Sequence, residues 1–156
     1  MARRGIITGL LLGGVLAAST FGALAGSASA ATKTVRVVKL EHVRSLGEVL
    51  FDVKGFALYT YAHDTKNHST CTGGCLAAWP ALVVARGERP TGVAGLGTIA
   101  APGGKRQVTW RGRPLYTFAS DTTRGAVTGD GVGNFHVARL TATPTTTTTS
   151  SHSYGY

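Results

Sequence analysis

Two imidazoles and two thiols fall close together in the chain, at His63, His68, Cys71 and Cys75. Soft and borderline ligands at that density could gather copper or zinc. Cys71 and Cys75 are also the only cysteines, spaced C-x3-C around Gly73 and Gly74. The chain opens with a basic and then apolar stretch of the kind that directs export. In an exported chain an even cysteine count reads first as a disulfide, and the two glycines give so short a loop the freedom to close. Thiols must stay reduced to bind metal or exchange electrons. Export therefore favours the staple over an extracellular copper or thiol redox protein, and no cofactor is expected.

Other chemistry has less to stand on. Asp64 and Asp121 could act as a paired-carboxylate glycosidase only if the fold brings them together. Each is followed by Thr and more simply accepts backbone N–H bonds that fix a turn. The stretch Gly129-Asp130-Gly131-Val132-Gly133-Asn134 is glycine-rich, yet it lacks the Lys-Ser/Thr of a phosphate loop and the spacing of a calcium loop. No G-x-S-x-G, H-E-x-x-H or Ser/His/Asp arrangement can be assembled. No catalytic residue is assigned, and a non-enzymatic role is expected.

These residues sit on an internal repeat. Leu58-Tyr59-Thr60-Tyr61-Ala62-His63-Asp64 returns as Leu115-Tyr116-Thr117-Phe118-Ala119-Ser120-Asp121, at an offset of 116 − 59 = 57. The same offset aligns Lys54-Gly55 with Arg111-Gly112. The pattern Tyr-x-(Tyr/Phe)-x-x-Asp, followed in the first copy by Ser69-Thr70-Cys71 through Trp79-Pro80, resembles a bacterial family of secreted or lipoprotein repeats with a Yx(FWY)xxD motif. The resemblance covers about Glu48 to Leu140. It implies an exported repeat domain and brings no established activity with it. Phe135 stands where that family usually has Trp.

The motif needs strands to position it. Leu46–Val53, the turn Lys54-Gly55 and Phe56–Tyr61 read as one hairpin; Gln107–Trp110, the turn Arg111-Gly112 and Arg113–Phe118 read as its copy. Alternation puts Tyr59 and Tyr61 on one face and repeats this with Tyr116 and Phe118, so the four rings are expected to meet near a pseudo-twofold axis and build core. Gly95–Ala101 adds a strand against Arg106–Trp110. Thr32–Leu40 reads as an edge strand, Arg86–Ala94 as a surface connection, and Val137–Leu140 as a closing strand. One short helical turn is expected at Cys75–Trp79, stopped by Pro80. The fold class is thus all-β: a small domain of two hairpin repeats, about 48–84 and 105–140, related by internal pseudo-symmetry.

Comparison of the copies divides scaffold from chemistry. At an offset of 57, His63 faces Ser120, Cys71 faces Thr128 and Cys75 faces Val132. What both copies keep (Tyr59, Tyr61 and Asp64; Tyr116, Phe118 and Asp121) is expected to be architectural. Any chemistry is expected near His63, His68 and the Cys71–Cys75 loop.

The ends of the chain speak to destination. Met1-Ala2-Arg3-Arg4, an apolar segment and Ala28-Ser29-Ala30 read as a signal peptide over 1–30. Leu24-Ala25-Gly26-Ser27 resembles a lipobox with Ser27 in place of the lipid-bearing Cys, and a thioether needs a thiol. A secreted or wall-retained protein is expected rather than a lipid-anchored one. Residues 31–140 form the domain, and 141–156 read as a disordered Thr/Ser-rich tail. The chain holds 16 Lys and Arg against 7 Asp and Glu. Loss of Arg3 and Arg4 with the leader leaves 16 − 2 = 14 cations and a net charge of 14 − 7, near +7. Such a chain should be drawn to anionic wall polymer or a membrane surface. Nucleic acid is not expected, because no basic helix or nucleic-acid motif is present and the compartment is wrong. Glycan binding through exposed aromatics is a weaker alternative.

Overall fold

The computed structural model describes residues 32–141. The leader and nearly all of the Thr/Ser-rich tail lie outside that range. Among the described residues no helix is long and apolar enough to cross a membrane.

In the first repeat β2 (Val38–Val43) pairs antiparallel with β3 (Gly47–Asp52), from Val38 opposite Asp52 to Val43 opposite Gly47. Asp52 then folds the chain back on itself: its Oδ1 accepts the backbone N–H groups of Lys54 and Phe56, both at 2.9 Å. That side-chain turn delivers β4 (Tyr59–Tyr61) beside β3. In the second repeat β7 (Leu96–Ala100) pairs with β8 (Arg106–Trp110), which turns into β9 (Arg113–Pro114). Arg111 and Gly112 have φ of 50° and 80°. Positive φ at both central residues is the twist that a two-residue hairpin requires.

The segments downstream of the two motif strands are exchanged between repeats. Pro80 and Leu82 lie against the second copy: Thr117 N donates to Pro80 O at 2.9 Å, Leu82 N to Leu115 O at 3.0 Å and Val108 N to Leu82 O at 2.8 Å. The segment then enters β5 (Val83–Val84), which pairs with β8. The closing segment does the same to the first copy. β10 (Phe135–Val137) pairs with β4, Ala138 N donates to Leu58 O, and Leu50 N donates to Ala138 O, each at 2.8 Å. Tyr59 and Tyr116 meet at the centre, each backbone N–H donating to the other's carbonyl at 2.8 and 3.0 Å. Each hairpin is therefore completed by the last strand of the other repeat.

This exchange places a core on both faces of the inner strands. Val49, Phe51, Tyr59 and Tyr116 enter one buried cluster, while their neighbours Leu50, Leu58 and Leu115 enter a second with Val38 and Val108. All of these are fully buried. Each large apolar side chain so placed stabilises the fold by about 1.5–3 kcal/mol.

Several expected elements differ. The closing strand expected at Val137–Leu140 lies at Phe135–Val137, with Arg139 in a single bridge to Val49, and the motif strand expected over Arg113–Phe118 is regular only at Arg113–Pro114. The N-terminal edge strand is two strands, because the chain steps at Val37 from β1 (Lys33–Arg36) into β2. The segment expected as a surface connection contains β6 (Glu88–Thr91), parallel to β1 from Lys33 opposite Glu88 to Arg36 opposite Thr91. Proline is tolerated in an outer strand, where a missing donor costs no ladder bond. Just beyond it, Gly92 has φ of 135°, and a Cβ there would stand 1.7 Å from the carbonyl oxygen of Val38, so the crossing admits only glycine.

Candidate functional site

The motif residues assemble into one buried network at the pseudo-twofold axis. Tyr59 OH donates to Asp121 Oδ2 at 2.6 Å, and Tyr116 OH donates to Asp64 Oδ2 at 2.7 Å. Each tyrosine is thus held by the carboxylate of the other repeat. The second oxygen of each carboxylate stays local. Asp64 Oδ1 accepts Thr70 N at 2.7 Å and Thr70 Oγ1 at 3.0 Å; Asp121 Oδ1 accepts Thr128 N at 3.0 Å and Thr128 Oγ1 at 2.6 Å. One aspartate therefore fixes its own exit loop and clasps the facing repeat. Ser69 Oγ lies 2.7 Å from Tyr116 OH and donates to it, since the single phenol hydrogen goes to Asp64; Gly129 N donates to Tyr59 OH at 3.2 Å.

Both carboxylates and both tyrosines are buried. No buried side-chain nitrogen or oxygen among the described residues lacks a partner. Burial pushes the Tyr59 phenol far above its ordinary value, and the hydrogen bond to Asp121 adds to the rise. Burial does the same to Tyr116, against an opposing donor from Ser69. A proton retained by the folded chain and lost by the unfolded one makes stability fall as pH rises. The contribution of these two groups is fully present below the unfolded value near 10 and is lost above it, at about 1.4 kcal/mol per pH unit for each. In a spectroscopic alkaline titration, Tyr59 and Tyr116, two of the five tyrosines, should ionise only when the fold opens. A Tyr59→Phe, Tyr116→Phe chain should lose that late step. Ionisation of all tyrosines near pH 10 in folded protein would contradict the network.

A stack of four rings lies alongside: Phe118 on Trp79 at 4.2 Å, Trp79 on Phe135 at 3.9 Å, and Phe135 on Tyr61 at 4.3 Å between centroids. Rings from the two repeats alternate through it. Tyr59 meets Trp79 edge-on at 5.3 Å, and Tyr116 meets Phe135 edge-on at 5.4 Å. The expected meeting of Tyr59, Tyr61, Tyr116 and Phe118 is present, with Trp79 and Phe135 interleaved. Offset and edge-on pairs of this kind contribute about 0.5–1.5 kcal/mol each beyond their burial.

The residues that could bind metal are placed differently. Cys71 and Cys75 form a disulfide, with Cα atoms 5.3 Å apart, at the entrance of the helical turn α1 (Gly74–Ala78). Cys71 is buried in the cluster that holds Trp79, and closing this five-residue ring stabilises the loop by about 2 kcal/mol on loop entropy. His63 lies edge-on to Tyr61 with Nε2 3.2 Å from Asn134 Nδ2. His68 is exposed in a turn with Thr65. The structure does not bring these four residues together, and among the described residues no group of three or more His, Cys, Asp or Glu could hold a metal ion.

Ser69, Thr70, Thr128 and Gly129 were not legible as partners of the motif. The aspartates are related by 121 − 64 = 57 and their threonine partners by 128 − 70 = 58, so the second loop is one residue longer. A fixed offset hides the match. Cys71, next to Thr70, consequently corresponds to Gly129, next to Thr128. A Cβ at Gly129 would come within 2.7 Å of Trp79, which accounts for glycine there.

A family model described as a secreted repeat of unknown function matches residues 42–83 and 97–139, more than half of the chain. The two matches run from β2 toward β5 and from β7 past β10, in step with the two repeats of the fold. No curated protein and no solved structure matches the chain.

Proposed function

This chain belongs to the family of secreted repeats of unknown function, and from that premise we propose that it acts outside the cell as an envelope-associated binding module rather than as an enzyme. The observation that carries this reading is the buried clasp. The residues repeated between the copies, Tyr59 with Asp121 and Tyr116 with Asp64, bond to one another and to loop backbone. Each of these groups is buried and already hydrogen-bonded, which suits holding the fold rather than general acid or base work. What remains for function is the surface, and the excess of Lys and Arg over Asp and Glu gives that surface its sign. A basic exported domain meets anionic polymer at the envelope, where attraction among exposed charges acts within a Debye length.

Sedimentation of the exported protein with purified cell-wall material tests this reading. Binding should be present at about 0.05 M salt and lost by about 1 M, where the Debye length falls to about 3 Å. Failure to bind at low salt, or binding that ignores salt, would contradict the reading.

A further inference from the structure

The two ends of the pseudo-symmetric domain are not alike in charge. Thr117 lies in a depression of about 250 Å³ with Asp52, Lys54, Phe56 and Asp121. At the offset of 57 its counterpart is the depression around Thr60, of about 310 Å³, where Arg111 replaces Lys54 and Arg113 replaces Phe56. Arg139 joins them from the segment following β10, where it bridges to Val49. This second depression has no carboxylate in its lining, whereas the first has two. It runs on into an open groove of about 870 Å³ that shares Arg111, Arg139 and Thr141, with Glu48 and His42 paired at 3.1 Å in its wall. Symmetry of the backbone without symmetry of charge separates this surface from the scaffold.

Two of the three arginines are held in place. Arg111 sits in the tight turn with its guanidinium 4.5 Å over the Trp110 ring. Arg113 donates from Nη2 to Tyr61 O at 2.6 Å. Neither Arg111 nor Arg139 forms an ion pair with a carboxylate among the described residues, and both are exposed. Guanidinium groups carry planar pairs of donors that match phosphate oxygens, and fixing them beforehand reduces the entropy lost on binding.

We propose that the Arg111–Arg113–Arg139 groove is an anion-binding site for a phosphodiester-linked polymer strand. This inference rests on the envelope-binding reading above and gives it a place on the molecule. A strand suits the site better than a bilayer face, because the cations line a recess continuous with a larger groove rather than a flat surface. The exposed large apolar side chains Leu40, Val53 and Val132 are absent from its lining. The hydroxyls of Thr60 and Thr141 supply neutral donors and acceptors between the charges.

The test measures binding of the exported full chain to synthetic poly(glycerol phosphate) and, separately, to phosphatidylglycerol vesicles. An Arg111→Gln, Arg139→Gln chain should bind the polymer at least about tenfold more weakly than the parent, whereas a charge-matched Arg36→Gln, Lys39→Gln chain should change less than about twofold. Arg111→Lys with Arg139→Lys should recover only part of the loss, since charge returns without the paired donors. Near-ultraviolet circular dichroism confirms that each chain is folded. Equal losses in the groove and control chains would overturn the groove while leaving envelope binding intact, as would tighter binding to vesicles than to polymer. A parent chain that binds neither polymer nor wall material would overturn both.

Discussion

Residues 31–94 produced without the second repeat should not fold, and neither should residues 95–156 alone; mixed in equal amounts, the two should recover the native circular dichroism spectrum. The expectation comes from the exchanged strands. Without β10 the first hairpin loses the pairing of Tyr59 and Tyr61, the ring of Phe135 and the carboxylate of Asp121. Without Pro80 and Leu82 the second loses the pairing of Leu115 and Thr117 and the indole of Trp79. A domain of this size has a margin of about 5–15 kcal/mol, and several buried side chains at about 1.5–3 kcal/mol each exceed it. A cooperative unfolding transition in either fragment alone would show that the repeats are independent units.

Asp121→Ala should cost about 3–4 kcal/mol of stability, seen as a shift of the urea midpoint without a change in slope. The substitution strands three donors at once: Tyr59 OH, Thr128 N and Thr128 Oγ1. Bonds to a charged acceptor contribute about 1.5–3 kcal/mol, and a buried donor left without a partner adds its desolvation cost. Asp121→Asn keeps the shape and an acceptor oxygen, so it should cost roughly half as much. Asp64→Ala should behave in the same way through Tyr116 OH and Thr70. An alanine variant within about 0.5 kcal/mol of the parent would mean that the aspartates are solvated and the clasp absent.

Local features of this fold were legible in the chain. The offset that superposes Lys54-Gly55 on Arg111-Gly112 located both turns, and Arg111-Gly112 adopts the positive φ pair that a two-residue hairpin needs. Gly73-Gly74 between the cysteines indicated a closed loop, which the disulfide forms. Pro80 marked the end of the helical turn. Long-range pairing was not legible. Alternation says that Tyr59 and Tyr116 face inward, but it cannot say which repeat supplies the partner strand, because the two hairpins offer near-identical edges. β6 was hidden by Pro90, a residue that argues against an inner strand and is silent about an outer one. The aspartates read correctly as turn formers through Oδ1, while their second role through Oδ2 depends on the exchange. Residues unique to the first repeat drew the expectation of chemistry. The groove proposed above draws on Arg111, Arg113 and Arg139 of the second, where single cations scattered along the sequence gave no motif.

The motif is a clasp between repeats, and a pair of double-mutant cycles measures that directly. Tyr59→Phe combined with Asp121→Asn, and Tyr116→Phe combined with Asp64→Asn, should each show a coupling energy of about 1 kcal/mol or more. The within-repeat pairs, Tyr59→Phe with Asp64→Asn and Tyr116→Phe with Asp121→Asn, should be additive within about 0.5 kcal/mol. Coupling confined to the within-repeat pairs, with additivity across repeats, would contradict the clasp and make the motif a candidate functional site again.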